Sequence, residues 1–562
     1  MLTSLLTNCL IHEEFAMMDR ELVTLLYTAG ILLVVTLWCI WYHHPKYGKN
    51  RGPKVYPLLG SYLSLLHNKS RILDWMVDLI RDSPTMTVRT VRPGGRQFHI
   101  TANPANVEHI LKTNFENYPK GENSYANLHD LLGNGIFNID GKSWKLQRKV
   151  ASHEFTTQSL KNFMVGAVHD ELRGRFIPVL QECCNTGRTV DLQDLLARFT
   201  FDTICKLGFG VDPACLDLCF PSVRFANAFD TATSITANRF ITFASVWKTM
   251  RALNVGSEKK LRAAVADIDD FAMFVIQNRR KQVAGQSNRQ TDNSSDADDA
   301  AHLDLLSRFM GLTAADQDRR DFDTQDPSCD QNEGPQLGYS DEFLRDIVIS
   351  FILAGRDTST SSLTWFFWNL EHHRQVEDAI CKEVSEILKN RLVEDKDHNK
   401  HVPTSFFSFE ELKKMHYLHA AVSESLRLYP PVPIEMKLAH SSDEWPDGTR
   451  IDPNSTIIYH PYAMGRMERI WGPDCMKFKP ERWLKDGVFV QESPYKHAVF
   501  QAGPRMCLGR ELALMQIKMV VAVLLQRFRF SSQKGFTPEY DLNLTLPMKN
   551  GFPVSVQSKV PM

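Results

Sequence analysis

Charge of one sign is missing from this chain. Over 562 residues, 65 Lys and Arg stand against 66 Asp and Glu, a formal net charge of −1. There is no electrostatic case for nucleic acid as a partner. Paired cysteines are missing too. The eleven Cys form no Cys-x-x-Cys pair, and no His cluster completes a zinc site. That usage fits a reducing compartment rather than a disulfide scaffold. No internal repeat and no strong boundary divides the chain, so one large domain is compatible with a length that would otherwise suggest several. No Gly-x-Gly-x-x-Gly turn is present to seat a dinucleotide.

What is present begins with an uncharged run, Leu22 to Tyr42, LVTLLYTAGILLVVTLWCIWY. Its length suits a membrane-spanning helix, with Trp38, Trp41 and Tyr42 at one interface. Acids dominate before it, and HHPKYGKNRGPK after it carries Lys and Arg but no acid. The positive-inside rule then places the bulk of the chain in the cytoplasm. The expected organisation is a short lumenal segment (1–21), a transmembrane anchor (22–42), a Pro/Gly hinge (43–60) and a globular body (61–562). The hinge would hold that body close to membrane lipid.

Within the body, strand-like runs (TMTVRTV, RQFHITA) give way to helical periodicity from about 140 to 280. Two stretches rich in Asp, Asn, Ser and Gln within 285–338 flank a short helix, HLDLLSRFM, and read as mobile polar loops. Next comes DEFLRDIVISFILAGRDTSTSSLTWFFWNLEHH, Asp341 to His373, which is apolar nearly all round between Ile347 and Leu370. A helix of that kind lies in a core.

The residues able to do chemistry stand in five places. Trp144 and Arg148, four apart on one helix face, suit clamping a carboxylate. Ala354-Gly355-Arg356-Asp357-Thr358 interrupts the buried helix with small residues and a hydroxyl. Glu424 and Arg427 share a face of a helix ended by Pro430 and Pro431, and Arg482 in FKPERW could extend that pair into a buried network. In FQAGPRMCLG, Cys507 follows a Gly-containing loop, just before a strong helical pattern. Backbone N–H groups at a helix N-terminus favour a thiolate, which can serve as nucleophile, redox sensor or metal ligand. Singly, each place has a plainer reading: a surface pair, a packing Gly, a free buried Cys.

In this order they resemble the signature series of the cytochrome P450 family: Trp144-x3-Arg148, Ala354-Gly355-x-Asp357-Thr358, Glu424-x2-Arg427, Phe478-x-Pro480-Glu481-Arg482 and Phe500-x2-Gly503-x-Arg505-x-Cys507-x-Gly509. The resemblance covers roughly residues 45 to 560. It implies a mainly α fold with small β-sheets and a haem b whose iron is ligated by Cys507. A thiolate ligand pushes electron density onto iron and favours O–O cleavage. Phe500, Gly503 and Gly509 would shape the loop against the porphyrin, and Arg505, Trp144 and Arg148 would neutralise its propionates. Ala354 and Gly355 would line the oxygen pocket, with Asp357 and Thr358 managing protons. Glu424, Arg427 and Arg482 would form a structural network on the thiolate side. One atom of O2 would enter an unactivated C–H bond. Electrons would come from NADPH through a separate P450 reductase at the endoplasmic reticulum membrane.

Local stretches such as NYPKGE (117–122), GNGIFNIDGKSWKLQRKVASHEF (133–155) and SPYKHAVFQAGPR (493–505) resemble the plant group that hydroxylates fatty acids at or near the terminal carbon. The same group holds jasmonoyl-isoleucine hydroxylases and enzymes acting on steroid side chains. The expected substrate is an apolar small molecule, a fatty acid first. Loop 117–141 and residues 432–436 are the expected channel walls. The group usually has an Asp-Ser or similar pair where this chain has Glu435-Met436. A rival class, lyases and isomerases that rearrange fatty-acid hydroperoxides, lacks the helix Thr and carries an insertion in the Cys loop. Thr358 and a compact loop argue against it. A haem-binding sensor without turnover is a second rival, opposed by the intact Asp357-Thr358 pair.

Overall fold

The computed structural model describes residues 24–38, 52–56, 59–155, 157–217, 224–287, 305–311, 340–398 and 407–559. In chain order, the elements that place the functional residues are β1 (Thr87–Val91), β2 (Gln97–Thr101), α1 (Glu122–Leu132), α2 (Gly141–Phe155), α3 (Leu192–Phe209), α4 (Arg224–Arg239), α5 (Gly256–Ser287), α6 (Asp341–Ile352), α7 (Thr358–Glu371), α8 (His416–Leu428), β3 (Glu435–Leu438), β4 (Thr456–Tyr459) and α9 (Arg510–Arg527). The helical periodicity read from the sequence reappears in α2, α3 and α5. Helix α4 lies in a stretch, RFANAFDTATSITANR, with too many small and polar residues to signal it.

Helix ends follow local chemistry. Asp191 caps α3, its carboxylate accepting from the N–H groups of Gln193 and Asp194. Ser340 caps α6 by accepting from the Phe343 N–H. The buried helix expected over 341–373 is present, but residues Leu353–Asp357 widen into a π-turn between α6 and α7. Such a turn inserts a residue into the helical ladder and is frequent at functional sites.

The largest sheet has four strands in the order β1-β2-β4-β3. β1 and β2 pair antiparallel with Thr87 opposite Thr101. β2 runs parallel to β4, Phe98 opposite Thr456, and β3 runs antiparallel to β4, Glu435 opposite Tyr459. The core falls into one large apolar cluster under this sheet and around α7, α8 and α9. A second lies between α3, α4, α5 and α6.

The membrane anchor is corrected. Among the described residues no helix is long and apolar enough to cross a membrane. The helix expected over 22–42 is described over 24–38. The single-pass topology and the endoplasmic-reticulum placement built on that span fall with it. Residues 1–23 and 39–51 lie outside the described residues, as do the expected polar loops at 288–304 and 312–339.

Candidate functional site

The Cys loop is built by backbone bonds. The Cys507 N–H donates to Phe500 O at 2.8 Å, and the Met506 N–H donates to Gly503 O at 3.1 Å. Gly503 takes φ +64 and its α-carbon abuts the Leu111 carbonyl, where a Cβ would sit 2.0 Å from the oxygen. Only Gly fits there. Its missing side chain thus serves close packing on residue 111, a use the sequence did not reveal. Gly509 caps α9, with only Phe155 near the position of a Cβ.

Among the described cysteines Cys507 alone is exposed, yet burial is the largest influence on its thiol and pushes the pKa up. Together these describe a side chain open to space inside the fold rather than to bulk water. The Gly509 N–H, Arg148 and Arg510 pull the other way but do not prevail. Those lowering influences come from the start of α9 and the cations beside it, the direction that the sequence led one to expect, and a bound metal ion would favour the thiolate further.

Positive charge gathers beside the loop. Trp144 is buried, and the Arg505 guanidinium lies over its ring at 4.2 Å. Arg505 also donates to Ile139 O at 3.0 Å and pairs with Asp140 at 2.5 Å. Arg148 donates to Met506 O. The structure thus brings together the three residues that the sequence singled out, and adds one that it missed. Lys437, on β3, is 1% exposed and its Nζ has no hydrogen-bond partner. Burial, with Lys120 and Arg505 nearby, drives its pKa well below the usual lysine value. Arg505 Nε is also buried without a partner. The only local signal for Lys437 is the alternation of EMKL, which puts Lys437 on the same face as Glu435.

Two buried donor atoms without a hydrogen-bond partner, Lys437 Nζ and Arg505 Nε, together with the Cys507 thiol fit a planar anionic ligand with a thiol-seeking metal. Haem would suit them, its iron at Cys507 and its propionates at Lys437 and Arg505. A buried polar donor left unpaired is costly, and a carboxylate supplied by a ligand would satisfy both.

A second group of the expected residues lies in the π-turn. Thr358 Oγ1 donates to Ala354 O at 2.6 Å. The space beside Gly355 is filled by Ile204 of α3, whose Cγ1 would lie 2.5 Å from an added Cβ. Asp357 pairs with Arg356 at 2.8 Å, and Arg356 pairs in turn with Asp230 of α4 at 2.7 Å. Asp230 was not foreseen, because nothing in α4 marks one Asp among its polar residues. Burial pushes the Asp357 carboxyl up, Arg356 pulls it down and Asp230 pushes it up again, leaving it at about 6. Asp357, Arg356 and Asp230 border a polar cavity of about 560 Å³. Phe155 of α2 ties this side to the Cys loop, stacking on Phe351 of α6 at 5.9 Å while touching Gly509.

The third cluster is structural. Glu424 and Arg427 of α8 are both fully buried and pair at 2.7 Å. Arg482 reaches Glu424 at 3.3 Å and Trp483 Nε1 donates to it at 2.9 Å. A small cavity of about 30 Å³, lined by His419 and Ser423 of α8 and by Phe500 and Met506, separates this network from the Cys loop.

Comparison with known proteins agrees with this arrangement. The family described as Cytochrome P450 matches residues 51–552. Cytochrome P450 94A2 of Vicia sativa is 42% identical over 519 residues, 91% of this chain and 92% of the relative. Cytochrome P450 86B1 of Arabidopsis thaliana is 40% identical over 530 residues, 93% and 89% of the two chains. Cytochrome P450 94C1 of Arabidopsis thaliana is 42% identical over 496 residues, 86% and 89%.

Proposed function

The chain belongs to the cytochrome P450 family and is a haem-dependent monooxygenase. From that premise we propose that it hydroxylates a fatty acid at or near the terminal carbon, and that residues 61–562 form the catalytic domain. The observation that carries the site assignment is the exposed Cys507 thiol in the same loop as Arg505, whose Nε, like Lys437 Nζ, is a buried donor without a hydrogen-bond partner. The substrate class rests on the resemblance of residues 117–122, 133–155 and 493–505 to the plant group described above.

When bound, haem supplies O2 activation with electrons that originate in NADPH and arrive through a reductase, so that one oxygen atom enters a C–H bond and the other leaves as water. The chain supplies the rest. Cys507 would hold the iron through its thiolate. Lys437, Arg505 and Arg148 would hold the propionates, with the Arg505 guanidinium over the Trp144 ring. Thr358 and Asp357 would hold protons for the reaction, and Asp357 changes charge near pH about 6. Ala354, through its carbonyl, fixes the Thr358 hydroxyl. Residues near Met436, on the face of β3 opposite Glu435 and Lys437, are left to meet the substrate.

The deciding assay feeds saturated and unsaturated fatty acids, jasmonoyl-isoleucine and a hydroxysterol, with NADPH and a reductase, and locates product hydroxyls by mass spectrometry. Terminal hydroxy-fatty acids are expected. Turnover of only the conjugate or the sterol overturns the fatty-acid assignment and leaves the haem site intact. Products formed from hydroperoxides without NADPH would place the chain among the rearranging enzymes.

Two variants probe the site. Lys437→Met removes a buried amine that has no hydrogen-bond partner, so the haem-free protein is expected to be at least as stable as wild type. Haem retention falls by about 10- to 100-fold, the value of about 1.5–3 kcal/mol for a hydrogen bond to a charged group. Haem transfer to an excess of a haem scavenger reads this directly. Asp357→Asn is expected to remove a limb near pH about 6 from the profile of product formed per NADPH, while Asp230→Asn, by removing one influence that raises Asp357, moves that limb to lower pH. The same group has a stability signature. Because the folded state holds this proton more tightly, its contribution is present below the usual carboxyl range and is lost as pH rises through about 6.

A further inference from the structure

Gln501 stands two residues into the Cys loop, at φ +57 and ψ −171. That region is essentially reserved for Gly, and a side chain stays there only when its surroundings hold it. Its own peptide unit shows what is being held. The Gln501 N–H donates to Ala498 O at 3.1 Å, and the carbonyl of the same peptide, Phe500 O, accepts from the Cys507 N–H at 2.8 Å. Rotating this one peptide would let Gln501 relax to negative φ. It would also turn Phe500 O away and release Cys507.

The restraint comes from another part of the fold. Gln501 Nε2 donates to Glu435 Oε1 at 2.7 Å, and Glu435 Oε2 pairs with Lys120 at 3.1 Å. Glu435 is buried on β3, in a sheet whose register with Tyr459 is fixed. The sequence reading counted it among the channel-wall residues 432–436, and its carboxylate is instead taken up by Gln501 and Lys120. We propose that Glu435 is a positioning residue for the axial ligand: through Gln501 it holds the peptide between residues 500 and 501 in the strained orientation that fastens the backbone of Cys507. This deepens the haem-thiolate assignment and rests on it. It also gives a function to the position at which this chain departs from the Asp-Ser pattern of the group it resembles. A longer acid reaches the Cys loop and leaves Met436 to the opposite face.

The experiment uses the haem-loaded full chain and follows the rate at which the thiolate-type ferrous–CO band converts to the thiol-type band, together with the reduction potential and the denaturation midpoint. Glu435→Met and Gln501→Leu each remove the restraint and keep the strain, so conversion is expected about tenfold faster. Glu435→Gln retains an acceptor for Gln501 and converts at nearly the wild-type rate. The rescue is the sharpest arm. Gly occupies φ +57 and ψ −171 without strain, so Gln501→Gly placed in the Glu435→Met background restores slow conversion and the wild-type potential. A general packing defect at Glu435 would not be repaired by removing a side chain in another segment. Conversion in Glu435→Met at the wild-type rate, or failure of Gln501→Gly to restore it, overturns the proposal and leaves the ligand assignment standing. A wild-type protein with no thiolate band overturns both.

Discussion

Cys507→Ser abolishes the thiolate-type ferrous–CO spectrum and lowers NADPH-supported hydroxylation by several orders of magnitude. The substitution exchanges one atom, and the backbone bond from Cys507 N–H to Phe500 O survives it, so the fold is retained. The ligand does not survive. Burial already opposes ionisation of the thiol, against the pull of the Gly509 N–H, Arg148 and Arg510. A serine hydroxyl is a far weaker acid than a thiol, so the same surroundings keep it neutral. A neutral oxygen cannot push electron density onto iron as a thiolate does. The measurement is the CO difference spectrum beside a denaturation curve. An unchanged spectrum in a folded variant removes Cys507 from the metal and returns the loop to the plain reading of a free cysteine.

Glu424→Ala is expected to prevent recovery of folded, haem-loaded protein. Glu424 receives five donors: Arg427 Nε at 2.7 Å and Nη2 at 2.8 Å, Arg482 Nε at 3.3 Å, the Lys479 N–H at 3.0 Å and Trp483 Nε1 at 2.9 Å. Removing the carboxylate strands Arg427, which is 0% exposed, as an uncompensated buried charge. It would retain only carbonyl acceptors, those of Gly465, Cys475 and Lys477. Breaking one side of a buried pair costs about 3–5 kcal/mol, a large share of the roughly 5–15 kcal/mol that holds a domain folded. Glu424→Gln keeps the volume and part of the acceptor capacity and is expected to lose less. Urea denaturation and haem content of the two variants check this. A Glu424→Ala protein with a wild-type midpoint would show that the network is dispensable.

The same comparison of local pattern with packed environment explains what could be read in advance. Helix α2, the buried helix interrupted at 354–359 and the Cys loop before α9 were legible because periodicity and Gly placement are local properties of the chain. Trp144 and Arg148 were legible as a pair because their spacing puts them on one helix face, while Arg505 joined them only through the family resemblance. The apolar run at 22–42 was equally conspicuous, yet among the described residues no helix is long and apolar enough to cross a membrane.

Amino-acid order alone therefore determined the family and the order of the acid, hydroxyl, cation and cysteine positions along the chain. Only the tertiary structure decided how each is used. Gly503 serves the Leu111 carbonyl, and Gly355 serves the Ile204 side chain. Asp357 is coupled to Asp230 through Arg356. Lys437 is buried without a partner while Glu435, two residues earlier on the same strand, is fastened to the Cys loop. The physical reason is common to all of these. Burial, desolvation and pairing depend on which distant segments pack together, and a residue's charge or missing side chain acquires its role only from the neighbours that packing brings.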